Sequence, residues 1–387
     1  MLRRSRSYSV FCLCFTFFFK AVIGGLRHPE VDALHAFKAA IVRDPQEALA
    51  DWEGCDVDHQ ESCEACQWKG VTCYPKEGKD QTVTTIDLSQ ENLSGTLPSE
   101  LFKLTNLQAL YLFGNKFDGP IPDFTGFPRL KGLYLQDNSL TGTLPRSVSS
   151  LRKLQALNLR RTLIDGTIPR DIGKLLVLKE LDLSHTELTG TIPPGVGKLQ
   201  DLQWLRLNDC KLSGKLPSVS GLKALKMLRI GHNALTGTLP PFKAHLKSLE
   251  EFDVGTNQLH GSLPDDIGAL PSMKVLGLNS NRFTGSIPPS FGQLQSLEWL
   301  ELSDNLISGS LPATFGDLRA AKALYLAHNR LSGMLPPTLG NLKNLYEMDL
   351  QMNAGLCGPQ HKRPRGKVRT EGTRIGRDCA MRELEEL

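Results

Sequence analysis

Leucine-type residues recur along this chain with an almost fixed period. Aligned on the pattern LxLxxNxLxGxLP, the first leucine-type position is Ile86 and the last is Met348. The positions between them are Leu110, Leu133, Leu157, Leu181, Leu205, Leu228, Phe252, Leu276, Leu300 and Leu324. Nine of the eleven steps are 24 residues long and two are 23 residues long. Twelve matches at this spacing do not arise by chance, so the pattern predicts one array of repeats.

Each repeat carries the signals of a strand followed by a bend. Residues around LxL alternate between inward and outward, which predicts a short strand and, across repeats, one long parallel sheet. An inward asparagine, as at Asn257, can bond backbone groups that the bend leaves unpaired. The repeats that lack asparagine hold Glu91, Thr162, Thr186 or Cys210 at this position. Because no repeat can bury its leucines alone, neighbouring repeats share their stability.

The repeats and both ends of the array resemble a known family. The fifth repeat reads LKELDLSHTELTGTIPPGVGKLQDL; VDALHAFKAAIVRDPQEALADW and CQWKGVTC precede the array, and AGLCGP follows at 354–359. These segments are similar to plant-type leucine-rich repeat proteins, which include the ectodomains of receptor-like kinases, receptor-like proteins and polygalacturonase-inhibiting proteins. The resemblance implies an α/β repeat solenoid, a right-handed superhelix with a parallel concave sheet. We expect eleven full turns, a partial twelfth and cysteine-stapled caps.

The cysteines cluster near the ends of the array. Four N-terminal cysteines allow three pairings, and Cys66–Cys73 with Cys55–Cys63 is the preferred one, since the first pair matches the family spacing. At the other end the resemblance implies Cys357–Cys379, although the family's second cysteine usually follows more closely. Cys210 is the odd one left over and is predicted to be a buried free thiol. Such clusters favour an oxidising compartment.

The N-terminus has the layout of a secretory signal. Three arginines within the first six residues precede the apolar stretch Val10–Phe19, and the small residues Gly24 and Gly25 follow. An organellar transit peptide is the alternative, because the first acidic residue is Glu30. The apolar stretch is shorter than the ~20 residues that a membrane-spanning helix needs. We therefore expect no transmembrane segment, a secreted protein in the apoplast or cell wall, and membrane attachment only if the chain is a fragment.

These signals divide the chain into four segments. The predicted segments are a signal peptide at 1–25, an N-terminal cap at 28–82, repeats at 83–353, and a C-terminal cap with a basic tail at 354–387. In a secreted chain the sequon Asn92-Leu93-Ser94 is expected to carry a glycan.

Composition and charge narrow the class of partner. The 35 glycines and 23 prolines are too many for a helical bundle. The net charge is +4, but residues 1–27 carry +5 and residues 360–387 carry +3, which leaves −4 for residues 28–359. A mildly acidic body argues against nucleic acid along the main surface. Residues 361–377, with seven basic residues and one acidic residue, are predicted to form a mobile solvated tail or to contact a polyanion such as pectin or acidic phospholipid.

Motifs for catalysis or metal binding are missing from the sequence. It contains no HExxH, GxSxG or GxxxxGK[ST] motif and no protein kinase domain. His185, His232 and His328 share one column of the predicted sheet, but they stand at least two turns apart. At ~4.8 Å per turn they cannot chelate one metal ion. We expect no enzyme activity, no cofactor and no metal.

Outward positions of the predicted sheet form three patches. The aromatic corner consists of Tyr111, Phe113 and Tyr134. The basic-aromatic centre consists of Arg160, Arg161, His185, Trp204, Arg206, Arg229 and His232. The acidic stretch consists of Glu250, Glu251, Asp253, Glu298, Glu301 and Asp304. Exposed aromatic and arginine side chains are typical of interface hot spots, whereas the alternative is that the patches are ordinary solvated positions.

The basic-aromatic centre has the most specific predicted ligand. Arg206 and Arg229 lie in one column on adjacent turns, two like charges from which folding gains nothing obvious. Guanidinium groups bind carboxylate or sulfate bidentately, so an acidic peptide or protein loop is the expected ligand.

Three functions fit the sequence. The first is a recognition module that binds a peptide, protein or receptor ectodomain on the concave face, in signalling or defence. The second is an inhibitor of a secreted cell-wall hydrolase, although the double cysteine typical of such inhibitors is absent from Cys66-Gln67-Trp68. The third is the truncated ectodomain of a receptor kinase.

Overall fold

The computed structural model of the protein describes residues 28–55, 64–75, 81–242, 246–358 and 367–376. The predicted signal peptide at 1–25, the predicted disulfide partners Cys63 and Cys379, and part of the basic segment lie outside these residues. Among the residues inside these ranges, no helix is both long enough and apolar enough to cross a membrane.

One sheet of fourteen strands, here called the main sheet, runs through the described chain. Its first two strands pair antiparallel and every later pair is parallel. Its strands are Val71–Tyr74, Thr82–Asp87, Ala109–Tyr111, Gly132–Tyr134, Ala156–Asn158, Glu180–Asp182, Trp204–Arg206, Met227–Arg229, Glu251–Asp253, Val275–Gly277, Trp299–Glu301, Ala323–Tyr325, Glu347–Asp349 and Lys367–Arg369. This is the concave sheet of a leucine-rich repeat solenoid, as predicted.

The register of the main sheet confirms the predicted repeat alignment. Leu181 pairs with Leu157 on one side and with Leu205 on the other, and the same match extends from Ile86 to Met348. These inward residues are buried in one continuous core that reaches from the N-terminal cap to Leu356. Because strand side chains alternate, the residues on either side of each leucine face outward.

A second set of short strands follows the bend of each turn. These strands are Ile41–Arg43, Ser94–Thr96, Lys116–Asp118, Thr141–Thr143, Leu163–Asp165, Thr189–Thr191, Lys211–Lys215, Ala234–Gly237, Gln258–Ser262, Arg282–Thr284, Ser308–Gly309, Arg330–Met334, Gly355–Gly358 and Arg374–Ile375. Most contain the repeat glycine with positive φ, and a Cβ at Gly166 would lie 2.8 Å from Thr143 Cγ2. The glycine thus permits both the bend and the close stacking of turns.

Short 3₁₀ helices connect many turns, and one α-helix caps the N-terminus. The α-helix is His28–Ala39, and the 3₁₀ helices are Ala65–Gln67, Ser99–Lys103, Arg146–Ser150, Arg170–Lys174, Pro194–Lys198, Asp265–Ala269, Pro289–Gln293, Ala313–Asp317 and Pro337–Asn341. The α-helix ends at Ala39, and the following strand Ile41–Arg43 pairs antiparallel with Ser94–Thr96. Phe37 of this helix packs against Trp52 and against Phe117 of the first turns, and all three side chains are buried.

The asparagine positions form a buried hydrogen-bond ladder, as predicted. The Asn257 amide donates to the carbonyl oxygens of Ile230, Val254 and Gly255, and its Oδ1 accepts from the N–H of Leu235.

The positions without asparagine behave differently. Thr162 and Thr186 each donate one hydrogen bond to the carbonyl three residues earlier. Glu91 forms a 2.8 Å ion pair with Lys69 of the N-terminal cap.

The cysteines that the structure describes agree with the predicted roles. Cys66 and Cys73 form a disulfide, as predicted, and Cys210 is free, as predicted, but half-buried where a buried thiol was expected. Cys55 and Cys357 are also disulfide-bonded. Their predicted partners, Cys63 and Cys379, lie outside the described residues, so these two pairings stay predictions.

The C-terminal end departs from the prediction of a truncated twelfth turn and a mobile basic tail. Gly355–Gly358 completes the twelfth turn, and residues 367–376 add a further one. Lys367–Arg369 pairs parallel with Glu347–Asp349, while Arg369 forms ion pairs with Glu347 and Asp349. Backbone pairing and these ion pairs hold the segment although it lacks the leucine pattern. The prediction of a mobile tail is therefore wrong for residues 367–376.

Candidate functional site

The outward face of the main sheet carries the side chains that the sequence analysis grouped into three patches. Its central column reads Asp87, Tyr111, Tyr134, Asn158, Asp182, Arg206, Arg229, Asp253, Gly277, Glu301, Tyr325 and Asp349. Neighbours in a column stand on adjacent parallel strands, ~4.8 Å apart. Side chains in one column and in the columns beside it can therefore contact each other directly.

The aromatic corner contains a stacked tyrosine pair. The rings of Tyr111 and Tyr134 are 4.9 Å apart and nearly parallel, at 11°. A Cβ at Gly132 would lie 2.9 Å from Tyr134 Cε2, so the absence of a side chain there lets the ring lie flat against the sheet. Burial raises the pKa of Tyr134, with smaller contributions from Glu180 and Tyr111. Phe113, the third member, is half-buried on the same strand edge as Tyr111.

The two arginines of the basic-aromatic centre are already paired within the sheet. Arg206 Nη1 lies 3.2 Å from Glu180 Oε1 and 3.6 Å from Asp182 Oδ2. Arg229 binds Glu251 through two bonds, one of them 3.0 Å from Nη2 to Oε2. Both arginines therefore have ion-pair partners within the sheet, contrary to expectation, because their long side chains reach carboxylates on adjacent strands in the same or a neighbouring column. An acidic ligand at this centre would compete with three carboxylates.

The remaining members of the centre are spread along its edge. Arg161 lies 3.7 Å from Asp137, and His185 Nδ1 lies 3.5 Å from Asp209 Oδ2. His232 is exposed, Arg160 is half-buried, and the ammonium of Lys226 lies 5.6 Å from the centroid of the Trp204 ring. Arg161, His185 and His232 all have φ near +55°, a left-handed bend that recurs at this position in most turns and that the sequence analysis did not foresee.

The acidic stretch divides into paired and unpaired carboxylates. Glu250 lies 2.7 Å from Lys274, and Glu298 lies 2.6 Å from Lys322. Within the described chain, by contrast, no lysine, arginine or histidine nitrogen lies within 4.0 Å of the carboxylate of Asp253 or Glu301. Asp253 accepts a 2.9 Å bond from the N–H of Gly255.

Asp253 and Glu301 flank a cavity of about 270 Å³ on the outward face. We call it the Gly277 pocket. The side chains that line it, around Gly277 itself, include Asp253, Asn279, Trp299, Glu301, Tyr325 and the ion pair of Arg229 with Glu251. It exists because Gly277 interrupts the central column: a Cβ there would lie 2.8 Å from Asp253 Oδ1.

Burial governs the electrostatics of this pocket. It raises the pKa of Asp253, although the Gly255 N–H, Arg229 and His232 act in the opposite direction. It also raises the pKa of Glu301, and the negative charges of Asp253 and Asp304 add to that effect. Both carboxylates therefore lie where a negative charge is poorly solvated and where an added cation would be favourable.

The wall of the Gly277 pocket is aromatic. Trp299 stacks on Tyr325 at 6.5 Å, and Tyr346 packs edge-on to the same indole at 6.0 Å. The Tyr325 hydroxyl donates a 2.8 Å bond to Glu347, which fixes the ring; burial, together with this bond, raises the pKa of Tyr325 to about 12. The sequence pattern groups Asp253 and Glu301 by charge and does not predict the pocket, although the single glycine of the central column is a visible signal.

The predicted glycosylation site lies near the N-terminal end of the array. Asn92 is half-buried with φ of 55° in the loop before Ser94–Thr96. Its glycan stays a prediction.

Family models match most of the array described above. Leucine-rich repeat models match residues 129–151, 147–262, 271–331 and 322–342, and a leucine-rich repeat N-terminal domain model matches residues 27–74. The chain belongs to the leucine-rich repeat family. This protein is of the plant type: one similar protein is an inactive leucine-rich repeat receptor-like serine/threonine-protein kinase of Arabidopsis thaliana, 36% identical over 148 residues.

Two solved structures show what kinds of protein share this leucine-rich repeat fold. The plant peptide hormone receptor RGFR1 in complex with RGF2 is 31% identical, with a TM-score of 0.64 over 69% of this chain and 47% of the receptor chain. A plant ice-binding protein is 25% identical, with a TM-score of 0.58 over 86% of this chain and 96% of that chain. The chain thus spans about half of the solved receptor, and the match to the Arabidopsis kinase covers 38% of this chain and 20% of that protein.

Proposed function

We propose that this leucine-rich repeat protein is an extracellular recognition module that binds a peptide or a protein on the outward face of its main sheet. The observation that carries the proposal is the set of ordered outward side chains on that face. The stacked pair Tyr111 and Tyr134 and the aromatic wall at Trp299 present apolar area at positions that contribute little to the core. Preordered aromatic side chains bind at low cost in conformational entropy.

The similarity to a receptor solved with its ligand supports this reading. RGFR1 is a plant peptide hormone receptor in complex with RGF2, and its resemblance covers 69% of this chain. RGF2 is the ligand of that receptor, of which this chain covers 47%. The ligand of this protein is therefore proposed only by class, as a peptide or a protein.

Affinity capture with matched variants tests the proposal. The purified full chain is immobilised and exposed to apoplastic extract, and bound proteins and peptides are identified by mass spectrometry. Two variants run in parallel: Tyr111→Ala with Tyr134→Ala on the main sheet, and Leu176→Ala, an apolar residue 60% exposed outside the main sheet. We expect a partner that Leu176→Ala retains and that the double variant loses.

Three other outcomes would contradict the proposal. A partner retained by both variants and by Asp253→Asn with Glu301→Gln would place the binding surface elsewhere. A captured cell-wall hydrolase whose activity the protein blocks would favour the inhibitor function instead. Capture of no partner at all would leave the recognition function without support.

A second candidate function, binding to ice, is favoured by the surface of the second set of strands. Exposed threonines flank the repeat glycine in three turns, at Thr141 and Thr143, Thr189 and Thr191, and Thr236 and Thr238. The similar plant ice-binding protein is covered over 96% of its own length. The turns between them hold Asp165 and Thr167, and Ser213 and Lys215, beside the glycine, so the threonine pairs recur on every second turn, at roughly 9.6 Å.

An ice recrystallisation assay separates this function from the first. We expect inhibition by the unchanged protein, and its loss in Thr189→Lys with Thr191→Lys. Tyr111→Ala with Tyr134→Ala is the control and should keep full activity. Ice growth unaffected by the unchanged protein would remove this candidate.

A further inference from the structure

Most outward carboxylates in the central column of the main sheet have a cationic or hydroxyl partner. Asp182 is paired with Arg206, and Asp349 is paired with Arg369. The Asp87 carboxylate accepts a 2.7 Å hydrogen bond from the Ser89 hydroxyl.

Asp253 and Glu301 break this rule on either side of Gly277. The register places them directly across from Gly277 on the two neighbouring strands. Neither carboxylate has a cationic partner within 4.0 Å among the described residues, although Arg229, which is paired with Glu251, also lines the pocket. Two carboxylates that face one small gap repel each other, and a cation between them relieves that repulsion.

The size and shape of the gap favour one side chain over a whole small molecule. Its volume of about 270 Å³ lies below the roughly 300–1,000 Å³ of sites that enclose drug-sized ligands. The Trp299 indole forms one side, held in place by Tyr325 and Tyr346. A flat aromatic face attracts cations and stacks well against a planar group.

These features point to a planar cation and not to a metal ion. Within the described chain, no group of three or more histidines, cysteines, aspartates or glutamates is arranged to hold a metal. A guanidinium is planar, carries five N–H donors and is less strongly hydrated than an ammonium. It can donate to carboxylates on two sides while its face lies on an indole.

We propose that the Gly277 pocket binds the guanidinium of an arginine side chain of the ligand, between the carboxylates of Asp253 and Glu301 and against Trp299. This inference rests on the proposed function, since it assigns one contact of the ligand on the main sheet. Asn279, on the third side, presents an amide that can accept a further N–H bond. The pocket thus selects a basic group, whereas the sequence predicted an acidic ligand for Arg206 and Arg229. Carboxylates of the main sheet already pair with both arginines.

Peptide titration tests the pocket without knowledge of the natural ligand. The full chain is labelled with 5-fluorotryptophan, and the Trp299 signal is assigned with Trp299→Phe. Three probes are titrated: acetyl-glycyl-arginyl-glycine amide, its lysine analogue, and its citrulline analogue, which is a neutral mimic of arginine. We expect a saturable shift of the Trp299 signal with the arginine probe and at least tenfold weaker binding of the other two.

Matched variants separate the pocket from the general negative charge of the surface. Asp253→Asn with Glu301→Gln should weaken binding of the arginine probe at least tenfold. Glu250→Gln with Glu298→Gln removes the same charge from lysine-paired carboxylates on the same two turns and should leave binding within twofold. Gly277→Ala should also weaken binding, because its Cβ would displace Asp253 Oδ1.

Several results would overturn the inference. Equal binding of the arginine and citrulline probes would remove the role of charge, and equal binding of arginine and lysine would remove the role of the planar group. Equal effects of the two double variants would reduce the site to surface charge. If the probe binds as expected but no partner is captured, the proposed function fails alone; if a partner binds the main sheet but ignores Asp253→Asn with Glu301→Gln, the pocket assignment fails alone.

Discussion

Asp182 and Asp253 occupy the same column of the main sheet, but their environments differ. Asp182 lies 3.6 Å from the Arg206 guanidinium and accepts a 2.6 Å bond from the Ser184 hydroxyl. Asp253 has only the Gly255 N–H as a close donor among the described residues. The residue type alone therefore does not predict how much such a carboxylate contributes to the free energy of folding. The partner decides whether a charge removed from water stabilises the fold.

The unpaired carboxylate of Asp253 should cost stability at neutral pH. Its pKa is raised in the folded state, so its contribution favours folding below the ordinary aspartate pKa and is lost as the pH rises through the raised value. Asp253→Asn keeps the acceptor for Gly255 and removes the charge. We expect the midpoint of thermal unfolding to rise by roughly 1–2 °C at pH 7, with the gain shrinking towards pH 4.

Asp182→Asn is the control in the same column. It removes a charge that Arg206 pairs, so thermal unfolding at pH 7 should move to a lower temperature. If both variants shifted the midpoint in the same direction, partner geometry would not be what distinguishes the two carboxylates.

The pairing of Arg206 leads to a second prediction at the residue scale. Arg206→Gln leaves Glu180 and the buried Asp182 without their cation, and should lower the free energy of unfolding by about 1–3 kcal/mol. Arg161→Gln breaks a far more exposed pair, in which Arg161 is 57% and Asp137 is 41% exposed. This variant should change the free energy of unfolding by less than about 0.5 kcal/mol. Urea unfolding at pH 7 measures the free energy of unfolding of both variants. Equal decreases would mean that the Arg206 ion pairs stabilise the fold no more than an exposed pair does.

At the scale of the element, the turn is held by its inward asparagine. Asn257 bonds three carbonyl oxygens and one N–H across two turns. Asn257→Ala would leave these half-buried backbone groups unpaired and should cost about 1–3 kcal/mol. Gln258→Ala, the adjacent exposed residue, should cost less than about 0.5 kcal/mol in the same chemical denaturation series.

The three consecutive turns with Thr162, Thr186 and Cys210 should be the converse case. The Cys210 thiol lies 3.3 Å from the Leu183 carbonyl oxygen and 3.3 Å from Thr186 Oγ1, where an asparagine would bond more strongly. Cys210→Asn should therefore slow amide hydrogen exchange in its own and adjacent turns. Faster exchange there would show that the larger amide does not fit and that the ladder is interrupted for steric reasons.

At the scale of the whole molecule, stability passes only between neighbouring turns. The main sheet is linear, so a defect at one end should not reach the other. Val368→Asp places a charge in the partly buried inward position of Lys367–Arg369, the last strand of the main sheet among the described residues. We expect faster hydrogen exchange in Glu347–Asp349 and Lys367–Arg369, and unchanged exchange near Ile86.

Val42→Asp is the matched control for that experiment, because Val42 is 79% exposed. It should leave exchange unchanged at both ends. Faster exchange throughout the chain in Val368→Asp would show that the array unfolds as one cooperative unit instead.

The amino-acid sequence by itself determined the repeat register, the inward leucines and the asparagine ladder. These features follow from spacing along the chain, because a 24-residue period places equivalent residues on adjacent strands whatever the other side chains are. Secretion and the glycan at Asn92 stay predictions.

Only the tertiary structure decided which charges are paired and where the outward face is open. Arg206 reaches Glu180 in a neighbouring column, and Gly277 opens a pocket that Trp299 closes from the side. The extra turn at 367–376 likewise depends on backbone pairing without the leucine pattern. Such contacts join side chains more than 20 residues apart through their rotamers and diagonal reach, and a one-dimensional period carries no information about either.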